Sequence, residues 1–132
     1  MLKQIKFEVN GQVLQLSALS ALDYIDYIDY MSSLEKPDPV QEEDTEKEIN
    51  AKLNKMTRHN LLANARLIAF SLSHTKTDKA IDELQNEVLT TLTNNDFHLV
   101  LNAVQDLCEF PKVESQEEVE QADSADGESK NA

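Results

Sequence analysis

Chemistry in this 132-residue chain would have to come from three histidines, one cysteine and 25 carboxylates. Their spacing speaks against each reaction class in turn. His59, His74 and His98 are far apart and lack cysteine or acidic neighbours at ligand spacing, whereas a zinc site needs three or four converging ligands. Cys108 falls on the apolar stripe of a predicted helix, the place of a small buried hydrophobe rather than a nucleophile. The carboxylates crowd into polar stretches, the opposite of the apolar pocket that tunes an acid–base pair. With glycine only at positions 11 and 127, no phosphate-cradling loop can be built. No nucleophile, base and orienting group suggest themselves, so the expectation is a protein that is not an enzyme, with no cofactor and no metal.

What the chain offers instead is contact surface. Asp23-Tyr24-Ile25, Asp26-Tyr27-Ile28 and Asp29-Tyr30-Met31 form a three-residue repeat. On a helix of 3.6 residues per turn it drifts slowly, giving acidic, aromatic and aliphatic stripes. Two readings stay open. Either the tyrosines flank a core seam of Leu19, Leu22, Ile25, Ile28 and Met31, or they form a tyrosine-rich interface, since tyrosine brings large area at low entropy cost.

The elements that must position these residues are legible from patterning. Asn10-Gly11 is a strong two-residue turn signal, and residues 2–16 read as a β-hairpin. The turn pairs Val9 with Gln12, Phe7 with Leu14 and Ile5 with Leu16. Ile5, Phe7, Val9, Leu14 and Leu16 then share one face, with only Val13 out of place. A lone hairpin is marginal in water, so that face must lie on the helices or on another chain. Ser17 is expected to cap a helix running to about residue 34. Pro37 and Pro39 end it, and an acidic connector follows. A second helix is predicted over 45–73, supported by Glu43 to Lys47 and Glu48 to Lys52 pairs. Within it, residues 56–72 are apolar nearly all round, which marks the helix that others pack around. Asn60, Asn64 and Arg66 interrupt this stretch and rule it out as a membrane span. A third helix is expected from Thr77 or Asp78 to about residue 92, with Ile81, Leu84, Val88 and Leu92 as its stripe. Asn94 and Asn95 break it. A fourth, over 96–109, buries Phe97, Val100, Leu101, Val104 and Leu107, and Pro111 stops it. The fold class is mainly α (α+β): a hairpin and about four helices around a central apolar helix. The domain spans 1–111, with a flexible acidic linker at 35–48 and a disordered acidic tail at 112–132.

The net charge of −13 is unevenly held. Residues 35–48 and 112–132 each carry seven acids against two lysines, leaving only −3 for the rest. Such blocks stay solvated and argue against nucleic acid as partner, because phosphates need a basic face. They serve solubility, or they attract a basic partner and discourage premature self-association. A single cysteine excludes a disulfide framework, and no apolar segment follows an N-terminal basic patch. The expected compartment is a reducing cytoplasm.

The residues carry one further signal. FEVNGQVLQLSALSAL at 7–22 strongly resembles the start of the lambda-type phage tail assembly chaperones, the minor tail protein G family, where an FE-x-NG hairpin leads into an LS-x-LSAL helix. The resemblance returns at LIAFSLSH (67–74), at EVLTTL (87–92) and in the last helix ending Glu109-Phe110. An acidic, low-complexity C-terminus is also a family habit. These are structural patterns, and none is a chemical site. The resemblance implies a morphogenesis factor of long-tailed phages. It would bind the tape measure protein, keep it soluble in the host cell cytoplasm, promote tail tube polymerisation around it, and be absent from the mature virion. It further implies a −1 ribosomal frameshift giving a longer product that recruits the tail tube protein. The sequence departs from the lambda pattern here, because the Gly-Lys of the familiar slippery site is missing near the C-terminus; Ser129-Lys130-Asn131, encoded as UCA AAA AAC, would supply a heptamer instead.

Phe7, Leu14, Tyr24, Tyr27 and Tyr30 are the residues expected to contact a partner. Replacing the three tyrosines by alanine is expected to weaken tape measure binding with little loss of fold. The exposed hairpin edge also offers a route to self-association. The competing classes are a structural virion tail component and an acidic DNA-mimic inhibitor. The mimic needs carboxylates fixed on a rigid surface, and here they lie mostly in polar connectors.

Overall fold

Asn10 and Gly11 adopt φ of 50° and 78°, the left-handed pair that closes a two-residue hairpin turn with the strand twist. The computed structural model describes residues 1–109; the expectations for Pro111, the 112–132 tail and Ser129-Lys130-Asn131 lie outside the described residues. The turn joins β1 (Gln4–Val9) to β2 (Gln12–Ser17) in the predicted register: Ile5 opposite Leu16, Phe7 opposite Leu14, Val9 opposite Gln12. Val9, Leu14 and Leu16 are buried, Ile5 and Phe7 pack against the same core, and Val13 points to solvent.

Ser17 does not cap a helix. It ends β2, where its N–H donates to Ser71 Oγ at 2.9 Å and its carbonyl accepts from that hydroxyl at 2.8 Å, both buried. Just beyond the strand ends, the Ala18 N–H donates to the Lys3 carbonyl at 2.8 Å. The helix therefore starts three residues later than expected. Ser20 and Asp23 form a reciprocal capping box, and α1 spans Ala21–Ser33.

α2 (Glu46–Ser73) opens on a second capping box, Thr45 with Glu48, and at 28 residues is about 42 Å long. Its C-terminal half is the centre of the fold: Ala63, Ala65 and every residue from Leu67 to Leu72 are buried. α1 runs antiparallel along it. Asp23 near the α1 N-terminus meets His74 at the C-cap of α2 (2.6 Å), and Glu35 beyond the other end pairs with Lys55 (3.5 Å). α3 (Ile81–Thr91) and α4 (Asn94–Cys108) complete the core with Leu84, Val88, Phe97, Val100, Val104 and Leu107.

Two helix starts differ from expectation. Residues 77–80 are consumed by the connection from α2, where the Lys79 N–H closes a turn onto the Lys76 carbonyl, so α3 begins at Ile81. Asn94 and Asn95 do not break a helix but form the first turn of α4, because Thr93 accepts the Asp96 N–H and caps it.

Hydrogen bonds link the segment after α1, expected as a flexible acidic linker over 35–48, to α2. Lys52 Nζ donates to the Pro39 carbonyl (3.0 Å) and to Asp44 Oδ2 (2.7 Å), and the Gln41 N–H donates to the same carboxylate (2.7 Å). That backbone N–H, with the lysine second, holds the Asp44 carboxyl below its ordinary range. Residues 46–48 belong to α2. Glu48 is spent on the Thr45 cap, three residues away, and Lys52 reaches back eight residues to Asp44, so neither is left for the anticipated Glu48–Lys52 pair.

Candidate functional site

A helix advances about 100° per residue, so a repeat of three falls behind by about 60° each time. No stripe of the 23–31 repeat can stay on one face, and α1 shows the result. The aromatic stripe turns inward along the helix. Tyr24 is exposed, Tyr27 is only 9% exposed, and Tyr30 is half-buried. The middle of the expected aliphatic seam faces outward: Leu22 is 66% and Ile25 55% exposed and Ile28 is exposed as well, while Leu19 before the helix and Met31 near its end pack against the core. Three of the five expected seam residues, Leu22, Ile25 and Ile28, thus lie on the outer face, and Tyr27 with the half-buried Tyr30 turns to the inner one.

Tyr27 sits in the core, and its burial pushes the phenol pKa up, with Tyr24 adding to the shift. The two rings are 6.4 Å apart and tilted by 48°. Tyr30 lies under the Arg66 guanidinium, 4.4 Å from ring centroid to Cζ, and its hydroxyl accepts from Gln85 Nε2 at 2.9 Å. Replacing all three tyrosines would therefore damage the fold as well as any interface, contrary to expectation. Of the trio, Tyr24 is the one at the surface.

Arg66 was legible only as an interruption of an apolar helix. In three dimensions it joins three helices: Nη1 donates to Asp82 Oδ1 (2.5 Å) and Gln85 Oε1 (2.8 Å) of α3, while its plane covers Tyr30 of α1. Gln85 Nε2 also donates to the Leu62 carbonyl at 3.2 Å. The one sequence signal was an arginine placed where an apolar residue belongs. Such a residue needs several acceptors and an aromatic face to be tolerated.

Phe7 and Leu14, opposite each other in the ladder, differ in burial. Leu14 is 5% exposed and belongs to the buried cluster that includes Leu72 and Val88, so it is a core residue. Phe7 and Ile5 instead wall an open groove of about 470 Å³ between β1 and α4, whose far wall is Leu99, Ala103 and Leu107. Leu99 is 45% exposed there. Lys3, Asn102 and Asp106 supply the polar rim. In this two-stranded sheet the described residues pair β1 with β2 alone, so its other edge has backbone groups outside the ladder. The sequence placed Phe7 on the apolar hairpin face but gave no sign that α4 would stop short of covering it.

Cys108 is partly buried at the end of α4, and burial raises its thiol pKa. Among the described residues no His, Cys, Asp or Glu cluster has the geometry to hold a metal, and no helix is long and apolar enough to cross a membrane. Among the described residues, accessible apolar side chains line the β1–α4 groove and stand on the outer face of α1.

The family model for the bacteriophage lambda tail assembly chaperone, TAC, protein G, matches residues 1–128 of the chain. No curated protein and no solved structure matches it.

Proposed function

The chain belongs to the bacteriophage lambda tail assembly chaperone family, protein G, and from that premise we propose that it binds the tape measure protein of its phage through the groove between β1 and α4. A tape measure protein is long, helical and apolar-faced, and needs its stripes covered until the tube has formed around it. The observation that carries this reading is the open apolar groove of Ile5, Phe7, Leu99 and Leu107, which a domain with its own complete core has left unfilled. The work is binding rather than catalysis. The chain acts in the cytoplasm of the infected host, is left out of the finished particle, and promotes tube polymerisation on the coated tape measure. A longer frameshifted product recruits the tail tube protein.

Co-expression with the tape measure protein of the same genome tests the core of this reading. The tape measure should stay soluble and co-purify with the wild-type chain, and Phe7→Ser/Leu99→Ser should release it. A tape measure that stays insoluble, or that binds the groove variant equally well, would refute the placement. Mass spectrometry of purified particles separates a chaperone, which is absent, from a structural tail component, which is present. Sequencing the codons for Ser129, Lys130 and Asn131 decides whether a slippery heptamer lies there.

A further inference from the structure

The groove leaves unexplained the outer face of α1. Leu22, Ile25 and Ile28 stand exposed in an i, i+3, i+6 row, three branched aliphatic side chains where a single-domain surface helix usually carries polar ones. Alongside runs a second row, Asp26 and Asp29, both exposed. Among the described residues no cation pairs with either.

We infer that this face is a docking site for an α-helix of another protein, one whose aliphatic stripe is bordered by lysine or arginine. The pairing of an apolar row with an adjacent acidic row sets both halves of that description. The apolar row calls for a complementary stripe packed at the usual helix–helix distance of about 8–10 Å. At that distance the aspartates attract cationic border residues and repel acidic ones. The same charges argue against a second copy of this chain as the occupant. Two copies meeting through α1 would set one row of aspartates against the other, between chains that each carry −13. The face is separate from the β1–α4 groove, so the inference stands whether or not the tape measure protein is the groove's ligand.

The test uses the full chain and two designed 18-residue helical peptides with the same leucine stripe, one bordered by lysines and one by glutamates. Fluorescence anisotropy should show binding of the lysine-bordered peptide and much weaker binding of the other. Because the whole chain is acidic, the decisive variant leaves its charge unchanged: Leu22→Ser/Ile25→Ser should weaken the lysine-bordered peptide by about tenfold or more. Asp26→Asn/Asp29→Asn should weaken it by about threefold at low salt and flatten its salt dependence. A photo-crosslinker at position 25 should capture the bound peptide. Equal affinity of the serine variant and the wild type, equal binding of both peptides, or capture from the groove (position 7) instead of position 25 would overturn the inference. Both variants change exposed residues, and an unchanged thermal melt verifies that each is folded.

Discussion

The hairpin and α1 lie next to each other in sequence and both carry short repeating patterns, yet one pattern survives folding and the other is split. The hairpin alternates with period two, which matches the pleat, so every apolar residue expected on its inner face is there. α1 repeats with period three on a helix of 3.6, so each stripe is carried partly inside and partly outside. A commensurate period leaves one buried face and one wet one. An incommensurate one strands good core residues at the surface, and Leu22, Ile25 and Ile28 are what it strands.

Stability measurements by chemical denaturation can break this contrast. Leu16→Ala, at a position with no solvent exposure, should cost about 3 kcal/mol. Tyr27→Ala should cost a similar amount, whereas Ile25→Ala should stay within about 0.5 kcal/mol. A large cost at Ile25 would mean the aliphatic row is core after all. One step down, Ser71→Ala leaves the Ser17 N–H and carbonyl without their buried partner and should cost about 2 kcal/mol. Gly11→Ala should cost about 1 kcal/mol, purely from backbone strain at φ 78°, since no atom lies within 4 Å of the added Cβ.

The hairpin's register and the Thr45 onset of α2 were legible because a turn dipeptide and a cap act over a few residues. So was the central role of α2, whose apolar residues cover most of its circumference. The start of α1 was misread because two serines compete. Ser20 wins, since Asp23 completes its box while Ser17 is taken by Ser71, 54 residues away. Nothing near Ser17 in the sequence records that partner. The contact surface was half legible for the same reason. Phe7 faces a groove, and Tyr24 is exposed. Leu14, Tyr27 and Tyr30 are drawn inward by residues of α2 and α3 whose positions local patterning does not reveal.

The smallest effect sharpens a different contrast, between the pinned segment before α2 and a free connector. The Asp44 carboxyl titrates below its ordinary value of 3.8. Its contribution is therefore fully present above that value and is lost as pH falls through the lower, folded one. NMR shifts of residues 39–44 should move together as the pH drops below about 4, and Asp44→Asn should abolish the transition. A wild-type segment that shows no transition over this range would be one that Asp44 does not hold.

The Ser17–Ser71 clamp also sets a schedule for synthesis. A hairpin closes within about 1–10 μs of leaving the ribosome, but this one has no surface to rest on until α2 has been made. Its partner serine follows 54 residues later, a delay of about 3–10 s at ordinary elongation rates. Throughout that interval the nascent chain carries an apolar hairpin face ahead of the helix that will shelter it. Slower translation of the α2 codons prolongs that exposure and faster translation shortens it, so the yield of folded chain should follow codon speed between residues 18 and 71.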